Sequence, residues 1–243
     1  MNDALKILAF DTSSERGSVA LLEGGRLRAE LRADAPATHS ALLLKSVDFL
    51  LERTGWKLQD LGLVASGVGP GSFTGIRIGV ATGLGLAQSL GIPFTGVSGL
   101  DVLAHRVAVV RPDGRITILL DAHRNQVYFA EYESRAGRIR RVGRPALVDV
   151  SSLPQSLADA SIEMETGETG ATAATGETGA ARGTVAGDLG DELLKTLGRS
   201  CPGLRWLPVD LFLAEGVGRL ALKRKATWRT GDFLMSEPMY IRP

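Results

Sequence analysis

The sequence predicts an α/β protein of two similar lobes, and three observations carry that reading. Short apolar strands open the chain before any helical periodicity begins. A Gly-rich turn, running from Val68 through Gly69-Pro-Gly71-Ser-Phe-Thr-Gly75 to Gly79, follows the apolar run Leu61 to Ala65 and opens a helical stretch, as where a strand passes into a helix. The pattern of strand, aspartate, polar turn and strand around Asp11 then returns around Asp121, roughly 110 residues later, as a duplicated unit would. The competing reading of that echo is that any two hairpins look alike.

Taken in order, Lys6 to Phe10 is a short apolar strand, and the polar turn Asp11 to Gly17 leads into a second, Ser18 to Glu23. Leu27 to Ala33 is a third strand, set off by the Gly24-Gly25 turn. His39 to Thr54 has helical spacing, with Thr38 placed to cap it. In the Gly-rich turn Gly69 and Gly71 tolerate positive φ, Pro70 presets the bend, and Ser72 or Thr74 caps the helix that runs to Leu90. Phe94 to Val97 reads as a strand and Leu100 to Val109 as a helix, and Ile116 to Asp121 with Val127 to Tyr132 forms the second hairpin. Order is expected again over Thr184 to Leu197, and Leu211 to Arg224 is a last helix before an extended tail, Met239 to Pro243.

One segment differs in kind. A Thr-Gly-Glu-Thr-Gly-Ala repeat begins at Thr166 and again at Thr175, with no large apolar residue between Met164 and Gly183. Such a stretch buries too little surface to offset its ordering entropy, so 163–183 is expected to be a disordered surface loop without chemistry. The expected organisation is a first lobe over 1–104, a second over 105–207 that carries this loop, and a C-terminal helix and tail over 208–243 packing back on the first lobe.

Composition narrows the function classes. With 243 residues, 44% apolar and 23% charged, the chain has enough material for a full core. A net charge of +1 argues against a general field for nucleic acid or an anionic membrane, so any RNA contact would be local or borrowed. The single cysteine, Cys201, excludes an internal disulfide and a cysteine-built metal site and fits a reducing compartment. The residues from Met1 to Lys6 lack the basic and long apolar regions of a signal peptide, and no apolar run reaches the roughly 20 residues of a membrane span. A cytoplasmic location is the expectation.

Motifs for catalysis are mostly missing. His39, His105 and His123 stand far apart, and neither His-Glu-x-x-His nor Cys-x-x-Cys occurs, so no metal site is predicted. Asp11, Thr12 and Ser13 at the first bend, with Gly69, Gly71 and Ser72 at the Gly-rich turn, are the candidates for vestigial anion or nucleotide loops, because the first turn of a helix offers bare amides. Thr12 stands where a phosphate would want a glycine, and the Gly-rich turn lacks the Gly-Lys-Ser/Thr ending of a phosphate loop, so the structural reading of both turns carries more weight. Ser72 lacks a Gly-x-Ser-x-Gly elbow.

Surfaces speak more clearly. On a helical wheel Leu43, Leu44, Val47, Leu50 and Leu51 make one apolar stripe, while Leu42 and Phe49 sit on another face beside Lys45, Ser46 and Arg53. Either a partner or a loop of the same chain covers that second ridge. In the following helix Gly75, Gly79 and Gly83 form a flat ridge next to Ile76, Val80, Leu84 and Ala87, which suits close helix approach. The expected neighbours are the helix from His39 and helices of another subunit together.

The segments ILAFDTSS from Ile7 to Ser14, SVAL from Ser18, GVGPGSFTGIRIG from Gly67 to Gly79, GIPFTGVSGLDVLA from Gly91 to Ala104 and the terminal PMYIRP resemble the bacterial TsaB (YeaZ) family. The resemblance covers most of residues 5–132 and the tail, but not the Thr-Gly-Glu repeat. It implies a two-lobed actin-like fold of the sugar-kinase type and a part in making threonylcarbamoyladenosine beside the anticodon of tRNA. It further implies a non-catalytic subunit, without a cofactor of its own and with ATP used only in the assembled complex. That subunit would pair with the transferase TsaD, be joined by the ATPase TsaE, meet tRNA through the complex, and form a homodimer when isolated. Carried onto this chain, the partner-binding residues are Leu42, Lys45, Phe49, Arg53, Ile76, Gly79, Val80 and Gly83, with no catalytic residue and no metal ligand. A rival class is an enzyme, either a glycoprotease-like peptidase or a small-molecule kinase using Asp11 and the Gly-rich turn.

Overall fold

Short apolar runs and polar turns build a first sheet of five strands. β1 (Lys6–Asp11), β2 (Arg16–Glu23) and β3 (Arg26–Asp34) form an antiparallel meander, and β4 (Leu63–Gly67) and β5 (Phe94–Val97) add in parallel on the other side of β1, in the order β3-β2-β1-β4-β5. The computed structural model describes residues 4–34, 39–162, 184–200 and 205–230. Thr38, the Thr-Gly-Glu repeat, Cys201 and the tail from Met239 lie outside the described residues.

β1 is buried on both faces, as its central place in a mixed sheet demands. Leu8 and Phe10 meet α1 (His39–Thr54) and α2 (Phe73–Leu90) in a cluster with Leu43, Val47, Leu50, Ile76, Val80 and Phe94. On the opposite face Gly218 of α6 (Ala214–Lys223) lies so close to Ala9 and Leu22 that a methyl there would strike the Leu22 side chain. Trp228 donates its indole N–H to the Ala221 carbonyl at 2.9 Å, and Arg229 bridges to Phe94, tying the chain after α6 to β5. Between β5 and the second sheet runs α3 (Gly99–Val110), whose Asp101 is held by Arg224 at 2.9 Å.

The second sheet repeats the first. β6 (Gly114–Asp121), β7 (Gln126–Arg135) and β8 (Arg138–Asp149) form an antiparallel meander, and β9 (Thr184–Asp188) and β10 (Arg205–Pro208) add in parallel beside β6, in the order β10-β9-β6-β7-β8. Asp11 and Asp121 each end the first strand of their sheet, so the echo in the sequence reflects one topology used twice. Two helices, α4 (Leu153–Ile162) and α5 (Asp191–Ser200), cover Leu119, Val127, Phe129 and Val185 through Leu153, Leu157 and Leu197. The chain divides into two units, one of residues 4–102 and 210–230 among those described, the other of the described part of 103–209. Among the described residues no helix is long and apolar enough to cross a membrane.

Most predicted elements recur within two residues, and the differences have causes. β4 begins at Leu63 because Leu61 closes a tight 3₁₀ turn over Leu58–Asp60 and is buried there. β8, α4 and β10 were not foreseen. β8 is an edge strand rich in arginine with Gly143 and Pro145 inside it, so it lacks the apolar alternation that reveals a half-buried strand.

Candidate functional site

The Gly-rich turn and the β1–β2 bend meet, and they fill one another. The amide of Ser72 donates to the Ser13 carbonyl at 2.7 Å, Thr12 Oγ1 donates to the Gly75 carbonyl at 2.7 Å, and the amide of Gly99 donates to the Gly69 carbonyl at 2.8 Å. Gly69 has a φ of +89°, in the region that favours glycine, and its bond to Pro70 is cis. Gly71 and Gly75 touch the backbone of Ser13 and Thr12 so closely that a methyl on either would collide with a carbonyl oxygen. Ser72 caps α2, its hydroxyl accepting the Gly75 amide at 3.2 Å. Asp11, Thr12 and Ser13 are buried, and Ser13 Oγ donates to the Asp11 carboxylate at 3.0 Å.

The six residues expected as anion loops are therefore brought together, but as a packed junction. The amide of Gly75 is already taken by the Ser72 hydroxyl oxygen, which caps the helix. This corrects the expectation of bare amides at that position of the helix. Among the described residues no group of three His, Cys, Asp or Glu side chains is arranged to hold a metal ion.

The glycine ridge of α2 faces the chain's own sheet. A methyl at Gly79 would lie 2.5 Å from Thr12 Oγ1 and 3.0 Å from Ser66 Oγ, and one at Gly83 would lie 2.5 Å from Phe94. Ile76 is 1% exposed, and Gly79, Val80 and Gly83 are buried with it. These four residues were expected on a partner-binding surface and instead seat α2 on β1, β4 and β5. The sequence reading placed the ridge on a helix–helix contact because spacing reports which residues share a face, not which element that face meets.

What α1 leaves open is a different matter. Leu42 is 39% exposed and Phe49 46%, and Lys45 and Arg53 are exposed beside them. Arg53 stacks over the Phe49 ring with its guanidinium carbon 5.3 Å from the centroid. Asp48 and Glu52 are also exposed, so two half-exposed apolar side chains sit within a rim of both charges. Full burial of such a side chain gains about 1.5–3 kcal/mol, and with half of each already covered about 1 kcal/mol apiece remains for a partner. At the start of α2, Phe73 is 51% exposed under Arg77, whose guanidinium stands 3.5 Å from the ring centroid.

Two positions on α1 depart from the wheel. Leu44, expected in the core stripe, is 49% exposed, and Ser46, expected on the open face, is buried. Leu51, two turns on from Leu44, owes its cover to the chain folding back at Trp56, whose amide reaches the Leu51 carbonyl at 3.0 Å. A shallow depression of about 20 Å³ lies beneath Leu42 against Val19 and Leu31, room for about one water and not for a ligand.

Known proteins place these features in context. The family model described as TsaD, tRNA N6-adenosine threonylcarbamoyltransferase, matches residues 33–178. The tRNA threonylcarbamoyladenosine biosynthesis protein TsaB of Escherichia coli is 38% identical over 129 residues, 53% of this chain and 55% of that protein. The chain thus spans little more than half the length of the curated relatives it matches. A crystal structure from Pseudomonas aeruginosa, of a protein with similarity to peptidase YEAZ, is 29% identical with a TM-score of 0.72, over 98% of this chain and all of that one. At the level of fold alone, component A of (R)-2-hydroxyglutaryl-CoA dehydratase from Acidaminococcus fermentans, 13% identical, aligns over 92% of this chain and all of its own with a TM-score of 0.50. The fold is actin-like, two mixed sheets with helices.

Proposed function

Because the chain belongs to the threonylcarbamoyltransferase family, as one of its TsaB (YeaZ) members, we propose that it is a non-catalytic subunit in the synthesis of threonylcarbamoyladenosine on tRNA. It pairs with the transferase TsaD and activates it, and the chemistry takes place on that partner. The observation that supports this most is the open face of α1, where Leu42 and Phe49 stand exposed inside a rim of Lys45, Asp48, Glu52 and Arg53. A packed junction at the Gly-rich turn, with Ser72 used as a helix cap, agrees with a turn that shapes the fold and carries out no reaction of its own.

Pairing through this face aligns an apolar centre with a partner groove while the mixed charges set its orientation. The same face pairs two copies of the chain when the transferase is absent, and the ATPase TsaE joins the assembly rather than this subunit alone. A cytoplasmic location is part of the same proposal.

The test is a titration of purified TsaD with the L42E/F49E double variant. The variant is expected to stay folded, losing about 1 kcal/mol per site from the covered half of each side chain, and to lose at least a hundredfold in affinity as two charges enter a desolvated contact. Leu44→Glu, roughly 160° round the helix from Leu42, is expected to bind as the wild type does. Equal affinity for the double variant would overturn the assignment of the face.

A further inference from the structure

The hairpin of β7 and β8 carries a concentration of positive charge that the face of α1 does not use. From Ser134 to Val148 there are five arginines, Arg135, Arg138, Arg140, Arg141 and Arg144, and no acidic residue, in a chain whose net charge is +1. Antiparallel register sets Arg135 opposite Arg138 and Glu133 opposite Arg140, and alternation puts Arg138 and Arg140 on one face, roughly 7 Å apart.

The neighbouring acids do not cancel this charge. Glu133 holds both Arg135, through a contact of 2.6 Å, and Arg140, at 2.9 Å, while Glu131 holds Arg115 of β6 at 3.2 Å. Asp113 accepts the Ala136 amide at the turn. Six arginines, with Arg115 included, stand against these three carboxylates and Asp149 at the end of β8, and leave a surplus of two positive charges. Arg138 and Arg144 are exposed and make no ion pair with the described residues. The Arg140 hydrogen bond, and then that of Arg135, hold the Glu133 carboxyl below the usual carboxylate range, as a shared anion between two guanidiniums should be.

Protection of a sheet edge does not account for the pattern. β8 ends its sheet, and Pro145 with the register shift opposite Phe129 and Glu131 already discourages pairing with another strand. What the arginines add is a row of planar forks matched to phosphate oxygens, carried on a rigid strand. We propose that the β7–β8 hairpin binds the phosphate backbone of a folded RNA, with Arg138 and Arg144 as its free contacts and Arg135 and Arg140 held in reserve by Glu133. The identity of that RNA as tRNA rests on the function proposed above; the charge does not. The subunit then touches the substrate directly, beyond meeting it through its partner.

The experiment measures binding of the full chain to a fluorescently labelled, unmodified tRNA transcript by anisotropy over a series of salt concentrations. Removing one phosphate-binding arginine is expected to lower the slope of log affinity against log salt by about 1, so R138Q/R144Q lowers it by about 2 and weakens binding several-fold at low salt. E133Q, which frees two guanidiniums, is expected to bind more tightly than the wild type with a steeper slope. Unchanged affinity and slope in R138Q/R144Q would overturn the inference, as would a wild-type chain that binds phosphatidylglycerol vesicles but no tRNA. If R138Q/R144Q binds tRNA normally while L42E/F49E still fails to bind TsaD, this inference falls and the proposed function stands. If the wild-type chain does not bind TsaD while R138Q/R144Q no longer binds tRNA, the function falls and this contact stands.

Discussion

Asp60 shows how a single side chain fixes a local turn and what pH does to it. Its carboxylate accepts the Lys57 amide at 3.0 Å and the Lys6 ammonium at 3.3 Å, and those contacts, the amide first, hold it below the usual carboxylate range. A carboxyl lowered on folding contributes stability above its unfolded value, and that contribution is lost as pH falls through the folded value. Asp60→Asn is therefore expected to melt below the wild type at pH 7, with the gap closing as pH drops from about 4 towards 2, as thermal denaturation at several pH values would show. A gap that persists at pH 2 would contradict the assignment. Ser72 plays a comparable part at α2, and Ser72→Ala is expected to cost about 1 kcal/mol in urea denaturation through removal of the cap. That cap was legible in the sequence, because a serine before a helical run is a start signal. The burial of Ser46 and the exposure of Leu44 were not, because they depend on which neighbours the fold sets against each position: Ser46 lies with Leu43 against Val19, Leu31 and Ala33.

At the scale of the element, α1 and α2 look alike in sequence as helices with two sets of special positions, yet they use them in opposite ways. α2 presses its small residues inward, so that Gly75 meets the Thr12 carbonyl and Gly79 and Gly83 sit against the side chains of Thr12, Ser66 and Phe94. Gly79→Ala and Gly83→Ala are expected to destabilise by about 1–3 kcal/mol through overpacking against Thr12 and Phe94. Gly85, exposed and with open space where a Cβ would stand, offers the contrast: Gly85→Ala is expected to stabilise by about 0.5–1 kcal/mol, since only the entropy of a helical glycine is removed. Urea denaturation of the three variants checks the signs, and unchanged or raised stability in Gly79→Ala and Gly83→Ala would refute the inward-facing ridge. α1 instead turns Leu42 and Phe49 outward, and here the heptad spacing of two large apolar residues on the polar face was the signal that sequence could read. Spacing alone could not tell an inward ridge of glycines from an outward one, since both satisfy the same 3.6-residue period.

For the whole molecule, one five-stranded topology appears twice, with two parallel strands added beside the first strand of a three-stranded meander in each unit. The first unit was the easier to read, because its strands are apolar and its turns rich in glycine. Much of the second was hidden, its edge strand written in arginine and its helix α4 following a strand with no apolar alternation. Duplication lets one fold carry an exposed apolar pair on α1 of the first unit and a basic hairpin on the second. The measurement that bears most directly on this account is threonylcarbamoyl transfer to tRNA reconstituted from purified components, with TsaE and the activated threonylcarbamoyl donor supplied throughout. The chain alone is expected to transfer nothing, TsaD alone little, and the two together to restore transfer that L42E/F49E fails to restore. Transfer by the chain without TsaD, or full transfer by TsaD without the chain, would contradict it.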